Sequence, residues 1–197
     1  MADNDVEIAN MALTLLGEAS ITSLDDELDA ARAIKRIYTM AVDAALRSHN
    51  WNFAQLRASL AQHSATPEFG FTYMYVLPTD PYCLRVLETD LDEDEPWRIE
   101  SYKTASEQSR VIVTDADSLE ILYIARLIDP VLWDALFADA MGFELAYRAS
   151  FAITGKAGLS KDLNGSRLLA WQRARSMDGQ ESRALKKLQS NSFTSVR

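Results

Sequence analysis

The pattern of apolar residues changes twice along the chain, and this change constrains the fold more than any single motif. At both ends, apolar residues recur at helical spacing, whereas residues 52–126 carry β-branched and aromatic residues in short runs separated by Pro, Gly and Asp. The first pattern is typical of amphipathic helices and the second of strands joined by turns. The sequence therefore predicts an α+β fold, in which a bundle of about four helices is split by a mostly antiparallel β insertion.

Helix-capping signals set the predicted ends of the first two helices. Asn4, followed three residues later by an acidic residue, predicts a helix start, and Gly17 supplies the stop. Ser23 precedes an acidic cluster, and basic residues follow towards Arg47, which is the charge order that a helix dipole favours. We therefore expect a second helix from Ser23 to about Ser48.

Similar signals bound the last two helices. Asp129 is a good N-cap residue and Pro130 fits the first helical position, so the sequence predicts the start of a long third helix there. Apolar residues at helical spacing continue as far as Gly155. A fourth helix is expected to start between residues 160 and 166 and to end by Gly179.

The middle segment contains six candidate strands, each rich in β-branched or aromatic residues. They are residues 53–61, 69–77, 83–87, 97–103, 111–114 and 119–127. We accordingly expect residues 1–51 and 128–180 to form the helical bundle and residues 52–127 to form the β-rich insertion. Residues 181–197, which are rich in Ser, Lys and Arg, are expected to be an extended basic C-terminal arm.

Charge is distributed unevenly along the 197 residues. The whole chain carries a net charge of −9, but residues 156–197 contain nine Lys and Arg against three Asp and Glu, which leaves +6 there and −15 on residues 1–155. An acidic body argues against general affinity for DNA phosphates, because such binding requires many Lys and Arg. The basic arm either docks on another surface or is simply solvated.

Composition also limits the environment of the chain. No apolar run approaches the roughly 20 residues that a membrane helix needs, and no positively charged stretch leads into an apolar segment at the N-terminus. We expect a soluble protein that is not exported. The single cysteine, Cys83, has no second thiol for a disulfide or a structural zinc site, so we expect it to lie reduced in the core.

An acidic run at residues 88–95 is the first candidate site. Asp90, Asp92 and Asp94 match the first ligand positions of a calcium loop, but Glu95 stands where that loop requires glycine. The run is therefore expected to be an exposed hairpin or loop, and we expect no metal site there.

Tryptophans are candidate interface anchors, and histidines are candidate catalytic or metal-binding groups. Trp97 directly follows the acidic run and is the tryptophan expected to be exposed, whereas core packing is favoured for Trp51 and Trp133. The only histidines are His49 and His63, so a metal site or a catalytic triad would have to be built around one of them. His49 is expected at a helix C-terminus, interacting with free carbonyls.

No complete catalytic motif is present. Gly155 and Lys156 resemble the end of a phosphate-binding loop, but Ala157 replaces the Ser or Thr that would hold magnesium. Paired carboxylates could hydrolyse a glycoside, but with 29 acidic residues such a pair is expected by chance and indicates nothing. We therefore expect a protein that is not an enzyme and that uses no cofactor and no metal.

Five segments occur in a recognisable order along the chain. They are residues 8–18 (IANMALTLLGE), 21–26 (ITSLDD), 47–54 (RSHNWNFA), 77–82 (LPTDPY) and 129–147. Their order and spacing resemble the tail tubular protein A family of phage head-to-tail adaptors, and the resemblance covers most of the chain. The layout of helices, strands and helices agrees with it independently.

The resemblance implies a structural protein of the virion, made in the host cytoplasm and assembled at the head–tail junction. Its members form a homo-oligomeric ring, commonly of twelve copies, between the portal protein and the tail nozzle. Genomic DNA passes through the lumen without sequence-specific binding. The resemblance further implies that the helical bundle and the arm face the portal, whereas the β insertion faces the tail.

The resemblance also implies which residues contact the partners. The candidates for portal binding in the arm are Arg183, Lys186, Lys187 and Phe193. The candidates for a tail-facing loop are Asp92, Glu93, Asp94, Glu95 and Trp97.

Two other functions remain open from the residues alone. One is a phage-associated polysaccharide hydrolase that uses paired carboxylates. The other is a DNA-packaging factor that binds DNA through its basic arm.

Overall fold

Residues 5–181 are described by the computed structural model, and their helices and strands follow the order that the sequence predicted. Two helices, α1 (Asp5–Leu16) and α2 (Asp29–Arg47), precede the β insertion. Two more, α3 (Ala135–Thr154) and α4 (Ala157–Glu181), follow it. The prediction of an α+β fold, with a helical bundle split by an antiparallel insertion, is confirmed for this part of the chain.

The described residues form two antiparallel sheets of three strands each. The strands are β1 (Gln55–Ser59), β2 (Tyr73–Val76), β3 (Cys83–Thr89), β4 (Trp97–Lys103), β5 (Gln108–Thr114) and β6 (Glu120–Ala125). One sheet has the order β1-β6-β3 and the other β2-β5-β4. Each strand overlaps a candidate strand, but β1 starts late because a 3₁₀ turn at Asn52–Ala54 precedes it.

The two sheets pack face to face around a small apolar core. Tyr75 and Ile112 of the β2-β5-β4 sheet meet Ile121 and Tyr123 of the other sheet, and all four are buried. Cys83 lies in the same core as a free thiol, as the sequence predicted, and burial raises the pKa of this thiol. The insertion is therefore a β sandwich with its own core.

The β1-β6-β3 sheet lies between the sandwich core and the helices. Because side chains alternate across a strand, Leu84 of β3 and Ile124 of β6 point away from the sandwich and join the helical core. An ion pair between Arg126 and Asp43 crosses this junction, and Arg47 donates a hydrogen bond to the carbonyl of Leu84. These contacts attach the sandwich to the C-terminal half of α2.

α3 is the central helix of the bundle and contacts α1, α2 and α4. The ring centroid of Trp51, which follows α2, lies 4.9 Å from that of Phe137 on α3 and 5.9 Å from that of Trp171 on α4. The ring of Trp133 lies 5.0 Å from that of Phe137. The prediction that Trp51 and Trp133 pack in the core is confirmed, because they are 0% and 4% exposed.

The second helix starts later than predicted. α2 begins at Asp29, not at Ser23, and most of residues 22–28 form turns and bends. One carboxylate oxygen of Asp26 accepts hydrogen bonds from the backbone N–H groups of Thr22 (2.8 Å) and Ser23 (3.2 Å). Such local bonds from a side chain to the backbone compete with helix formation, which explains why the acidic cluster precedes the helix.

The third helix also starts later than predicted. Asp129 and Pro130 begin a 3₁₀ turn, Pro130–Leu132, in which Asp129 accepts a hydrogen bond from Val131 N at 3.0 Å. Asp134 then caps α3 itself, because its side chain accepts hydrogen bonds from the N–H groups of Leu136 and Phe137. Two capping residues five positions apart thus serve two successive helical segments, and the predicted helix start corresponds to the first of them.

The fourth helix is longer than predicted. α4 begins at Ala157, with only two residues between it and the end of α3, because Gly155 adopts the left-handed conformation that turns the chain sharply. It also continues through Gly179, where an end was expected, to Glu181. Glu181, predicted as the first residue of the arm, belongs to α4. The rest of the predicted arm and the predicted cap at Asn4 lie outside the described residues.

Candidate interaction surfaces

The predicted tail-facing loop connects β3 to β4 and so joins the two sheets. Asp92, Glu93 and Asp94 are exposed, whereas Glu95 is half-buried. The backbone N–H of Glu95 donates to the carbonyl of Asp92 at 3.0 Å, which closes a turn. Trp97, at the start of β4, is 37% exposed and is the most exposed of the four tryptophans, as the sequence predicted.

The loop lies at the end of the sandwich that is remote from the helices. Leu84, near the start of β3, packs in the helical core, and the loop follows Thr89 at the other end of the same strand. A strand rises about 3.3 Å per residue, so these two points are roughly 16 Å apart along β3. An acidic turn and an exposed aromatic side chain therefore share the distal end of the insertion.

The arm residues that were expected to bind the portal lie outside the described residues: Arg183, Lys186, Lys187 and Phe193. The structure does describe the turn of α4 that leads to them. There, Oδ1 of the buried Asp178 accepts a hydrogen bond from Asn52 N at 2.8 Å, and Asn52 Nδ2 donates to the carbonyl of Asp178 at 2.8 Å. The end of α4 is therefore held at the point where the β insertion begins.

His49 has a different partner from the one expected. Its Nε2 atom lies 3.0 Å from Oδ2 of Asp178, and its ring packs edge-on against Trp51 with centroids 4.7 Å apart. The carbonyl of Ala45 near the end of α2 instead accepts hydrogen bonds from Trp51 Nε1 (2.9 Å) and from the side chain of Ser48 (2.8 Å). Because these groups satisfy that carbonyl, the imidazole is available to bridge to α4.

A buried carboxylate links α3 to α4. Glu144 is 5% exposed; its Oε1 accepts a hydrogen bond from Arg148 Nε at 2.6 Å, and its Oε2 accepts from Arg167 Nη1 and Trp171 Nε1, each at 2.9 Å. Burial raises the pKa of Glu144, but the hydrogen bonds from Trp171, Arg148 and Arg167 outweigh it, so the pKa lies below its ordinary value of 4.5. The carboxylate is therefore charged and satisfied.

Glu144 is not among the residues that the sequence singles out. One signal was available, because an acidic residue in the middle of an apolar helix is followed four residues later by Arg148, the spacing of an ion pair on one helix face. The contributions of Arg167 and Trp171 depend on how α4 packs against α3, which no local pattern specifies.

A cleft of about 350 Å³ opens beside Glu144, between α2, α3 and α4. We call it the arginine cleft, because Arg148, Arg167 and Arg175 line it together with Leu168. Leu168 is 54% exposed. Three arginines against one glutamate leave the cleft positive, and its leucine offers an apolar contact.

A segment with exposed apolar side chains precedes α3, and its aspartates give it a negative charge, opposite to that of the arginine cleft. We call residues 128–134 the IDPVLWD segment, after their sequence. Val131 and Leu132 are 55% and 54% exposed, and they lie between Asp129 and Asp134. No Lys or Arg occurs from residue 127 to residue 147, so this segment presents apolar side chains in a negative environment.

Known metal and phosphate sites do not match the geometry. In the part of the chain that the structure describes, no group of three or more His, Cys, Asp and Glu could hold a metal ion. Asp90 instead accepts a hydrogen bond from Glu120 N at 2.8 Å. Gly155 and Lys156 connect two helices, whereas a phosphate-binding loop follows a strand. Among residues 5–181, no helix has the length and apolar character needed to cross a membrane.

Comparison with known proteins adds no relative: no protein-family model and no curated protein matches this chain. The function is therefore inferred from the residues and surfaces described above.

Proposed function

We propose that this chain is a structural head-to-tail adaptor of a tailed phage, which forms a ring between the portal and the tail nozzle. It acts by binding partners rather than by catalysis, and it needs no cofactor. The partners are other copies of the chain, the portal ring and the nozzle protein, and DNA passes through the lumen of the ring. The site of action is the head–tail junction of the virion.

The observation that carries the proposal is the fixed origin of the basic arm. Asp178, in the last described turn of α4, is buried and holds that turn against the link between α2 and β1. Residues 182–197 contain four Lys and Arg and no Asp or Glu. A positive peptide that starts from a fixed point can dock at a defined position on a negative partner surface.

Three of the five segments that carry the family resemblance support the same proposal, because they include junctions of the fold. Residues 47–54 span the end of α2 and the 3₁₀ turn before β1. Residues 77–82 form the corner between β2 and β3, and residues 129–147 begin α3 and the turn before it. Junctions determine how the sandwich is oriented on the bundle, which is the property that a two-ended adaptor needs.

The charge of the body is compatible with a channel for DNA. Residues 1–155 carry a net charge of −15. Tight phosphate contacts would slow the passage of DNA, and they require clusters of Lys and Arg. An acidic ring would let DNA pass with little retention.

Truncation after Gln180 tests the role of the arm. Because Asp178 and its partners are retained, we expect the truncated protein to unfold at the same temperature as the full chain. We also expect it to be absent from the portal fraction when it is mixed with cognate portal rings and sedimented. A matched variant, with Arg183, Lys186 and Lys187 replaced by Gln in the full chain, separates the charges from the length of the arm.

The outcomes distinguish the adaptor from the two alternatives. Portal binding by the truncated protein at the level of the full chain would show that the arm does not dock. Turnover of capsule or cell-wall glycans by the purified chain would favour the hydrolase. Salt-dependent retention on DNA that disappears on truncation, without portal binding by the full chain, would favour the packaging factor.

A further inference from the structure

We infer that the IDPVLWD segment (residues 128–134) of one copy binds in the arginine cleft of the next copy. This inference rests on the ring in the proposed function and names the surfaces that would form it. The cleft is lined by Arg148, Arg167, Leu168 and Arg175.

The charges of the two surfaces are complementary. Asp129 and Asp134 flank the segment, and no Lys or Arg lies between residues 127 and 147 to offset them. The cleft holds three arginines against one glutamate. Arg148 bonds Glu144 through Nε, and Arg175 bonds Ser48 through Nη2, so further N–H groups of these guanidinium groups can reach a carboxylate.

The apolar side chains are complementary as well. Val131 and Leu132 are 55% and 54% exposed, which is unusual for large aliphatic residues beside a core tryptophan. Leu168 is 54% exposed at the edge of the cleft. Contact between them would remove three aliphatic side chains from water, inside a rim of opposite charges.

Geometry requires the contact to be between copies. Both surfaces are attached to α3, with the segment before Ala135 and the cleft at Arg148. The 13 residues between these two positions rise about 20 Å along a rigid helix, so the segment of one chain does not reach its own cleft. Because the two surfaces differ, the contact is head-to-tail rather than a symmetric dimer, and repeating it from copy to copy builds the ring of the proposed function when the rotation closes.

Disulfide crosslinking in the full chain tests the inference. Leu132→Cys in one preparation is mixed with Leu168→Cys in another under mild oxidation, and we expect heterodimers to form. Leu169→Cys is the matched control, because Leu169 is 56% exposed on the same helix but does not line the cleft. It should crosslink to Leu132→Cys several-fold less. A chain that carries both Leu132→Cys and Leu168→Cys should give a ladder of multimers.

Charge reversal provides a second readout from the same pairs. Adding Arg175→Glu to the Leu168→Cys chain should reduce the yield of heterodimer several-fold, and adding Asp129→Lys to the Leu132→Cys chain should restore it. Recovery of this kind requires the two charges to face each other across the contact.

Three results would overturn the inference. They are equal crosslinking of Leu132→Cys to Leu168→Cys and to Leu169→Cys, self-crosslinking of Leu168→Cys alone at the yield of the mixture, and no heterodimer at all. Portal binding by the unmodified chain is measured separately. A ladder without portal binding would reject the adaptor but support this contact, whereas portal binding without a ladder would reject the contact alone.

Discussion

The Nε2 atom of His49 lies 3.0 Å from Oδ2 of Asp178, and this contact joins two positions that are 129 residues apart in the sequence. The other oxygen of the same carboxylate accepts the N–H of Asn52. His49 and Asn52 belong to the link between α2 and β1, so one buried carboxylate of α4 holds the helical bundle at the start of the sandwich. The arm beyond Glu181 therefore starts from a fixed position.

Asp178→Ala should release the end of α4. The substitution leaves the N–H of Asn52 and the imidazole of His49 without this acceptor, and we expect the free energy of unfolding to fall by about 2 kcal/mol. Hydrogen exchange should increase in the last turn of α4. Asp162→Ala is the control, because Asp162 is an exposed aspartate of the same helix, and it should change stability by less than about 0.5 kcal/mol. Equal protection of the last turn in both variants would contradict this role.

Glu144→Gln should make the protein less stable at neutral pH by roughly 3 kcal/mol, because it removes the charge that Arg148 and Arg167 share. The pKa of Glu144 is lower in the folded state than its ordinary value of 4.5. Its contribution to stability is therefore complete above that value and is lost as the pH falls through the folded pKa. The difference in unfolding free energy between wild type and variant should be constant near pH 7 and narrow as the pH falls below 4.5.

Urea denaturation at a series of pH values measures this difference directly. The other carboxylates titrate in both proteins, so their contributions to the pH dependence of stability cancel when wild type and variant are compared. If the difference in unfolding free energy between wild type and Glu144→Gln stays the same from pH 7 down to the lowest pH at which both proteins fold, Glu144 is not a charged, paired group.

Trp51→Ala should destabilise the fold strongly, because Trp51 is completely buried among Phe137, Trp171 and His49. We expect a loss of about 3 to 5 kcal/mol from the cavity and the lost contacts. Trp97→Ala is the matched control, because Trp97 is 37% exposed on β4. It should cost less than about 1 kcal/mol. Thermal or urea denaturation measures both variants, and a similar loss of unfolding free energy from the two substitutions would contradict the described packing.

Substitutions in the predicted tail-facing loop should weaken binding to the nozzle protein and leave binding to the portal unchanged. A variant with Asp92→Asn, Asp94→Asn and Trp97→Ala should fold normally, because these side chains are exposed or partly exposed. It should bind cognate portal rings like the full chain and bind the nozzle protein more weakly. Co-sedimentation with each partner measures both, and reduced portal binding with normal nozzle binding would reverse the proposed orientation.

Much of the fold could be predicted because the period of the apolar residues differs between helices and strands. The errors lie at helix starts, where capping residues are ambiguous. Asp129 with Pro130 is a genuine cap, but it serves a 3₁₀ turn, whereas Asp134 caps α3. Ser23, the predicted start of α2, likewise lies in a turn that the side chain of Asp26 holds. A single sequence does not distinguish a side chain that caps a helix from one that caps the turn before it.

The strand order and the polar contacts between helices could not be predicted. β6 pairs with β1 and with β3, and these pairings join segments that are distant in sequence. Glu144 finds Arg167 and Trp171 only when α4 folds back on α3. Such contacts depend on packing, so no local spacing reveals them. The exposure of Trp97 could be predicted because it directly follows an acidic run, whereas the burial of Trp51 follows the ordinary preference of a large aromatic side chain for the core.

Electron microscopy of the full-length protein mixed with its cognate portal ring tests the adaptor function directly. If the chain is the adaptor, an additional ring, commonly of twelve subunits, lies on the portal, with the helical bundle against the portal and the β sandwich pointing away from it. Portal rings without added density, or with the β sandwich against the portal, would contradict the adaptor function.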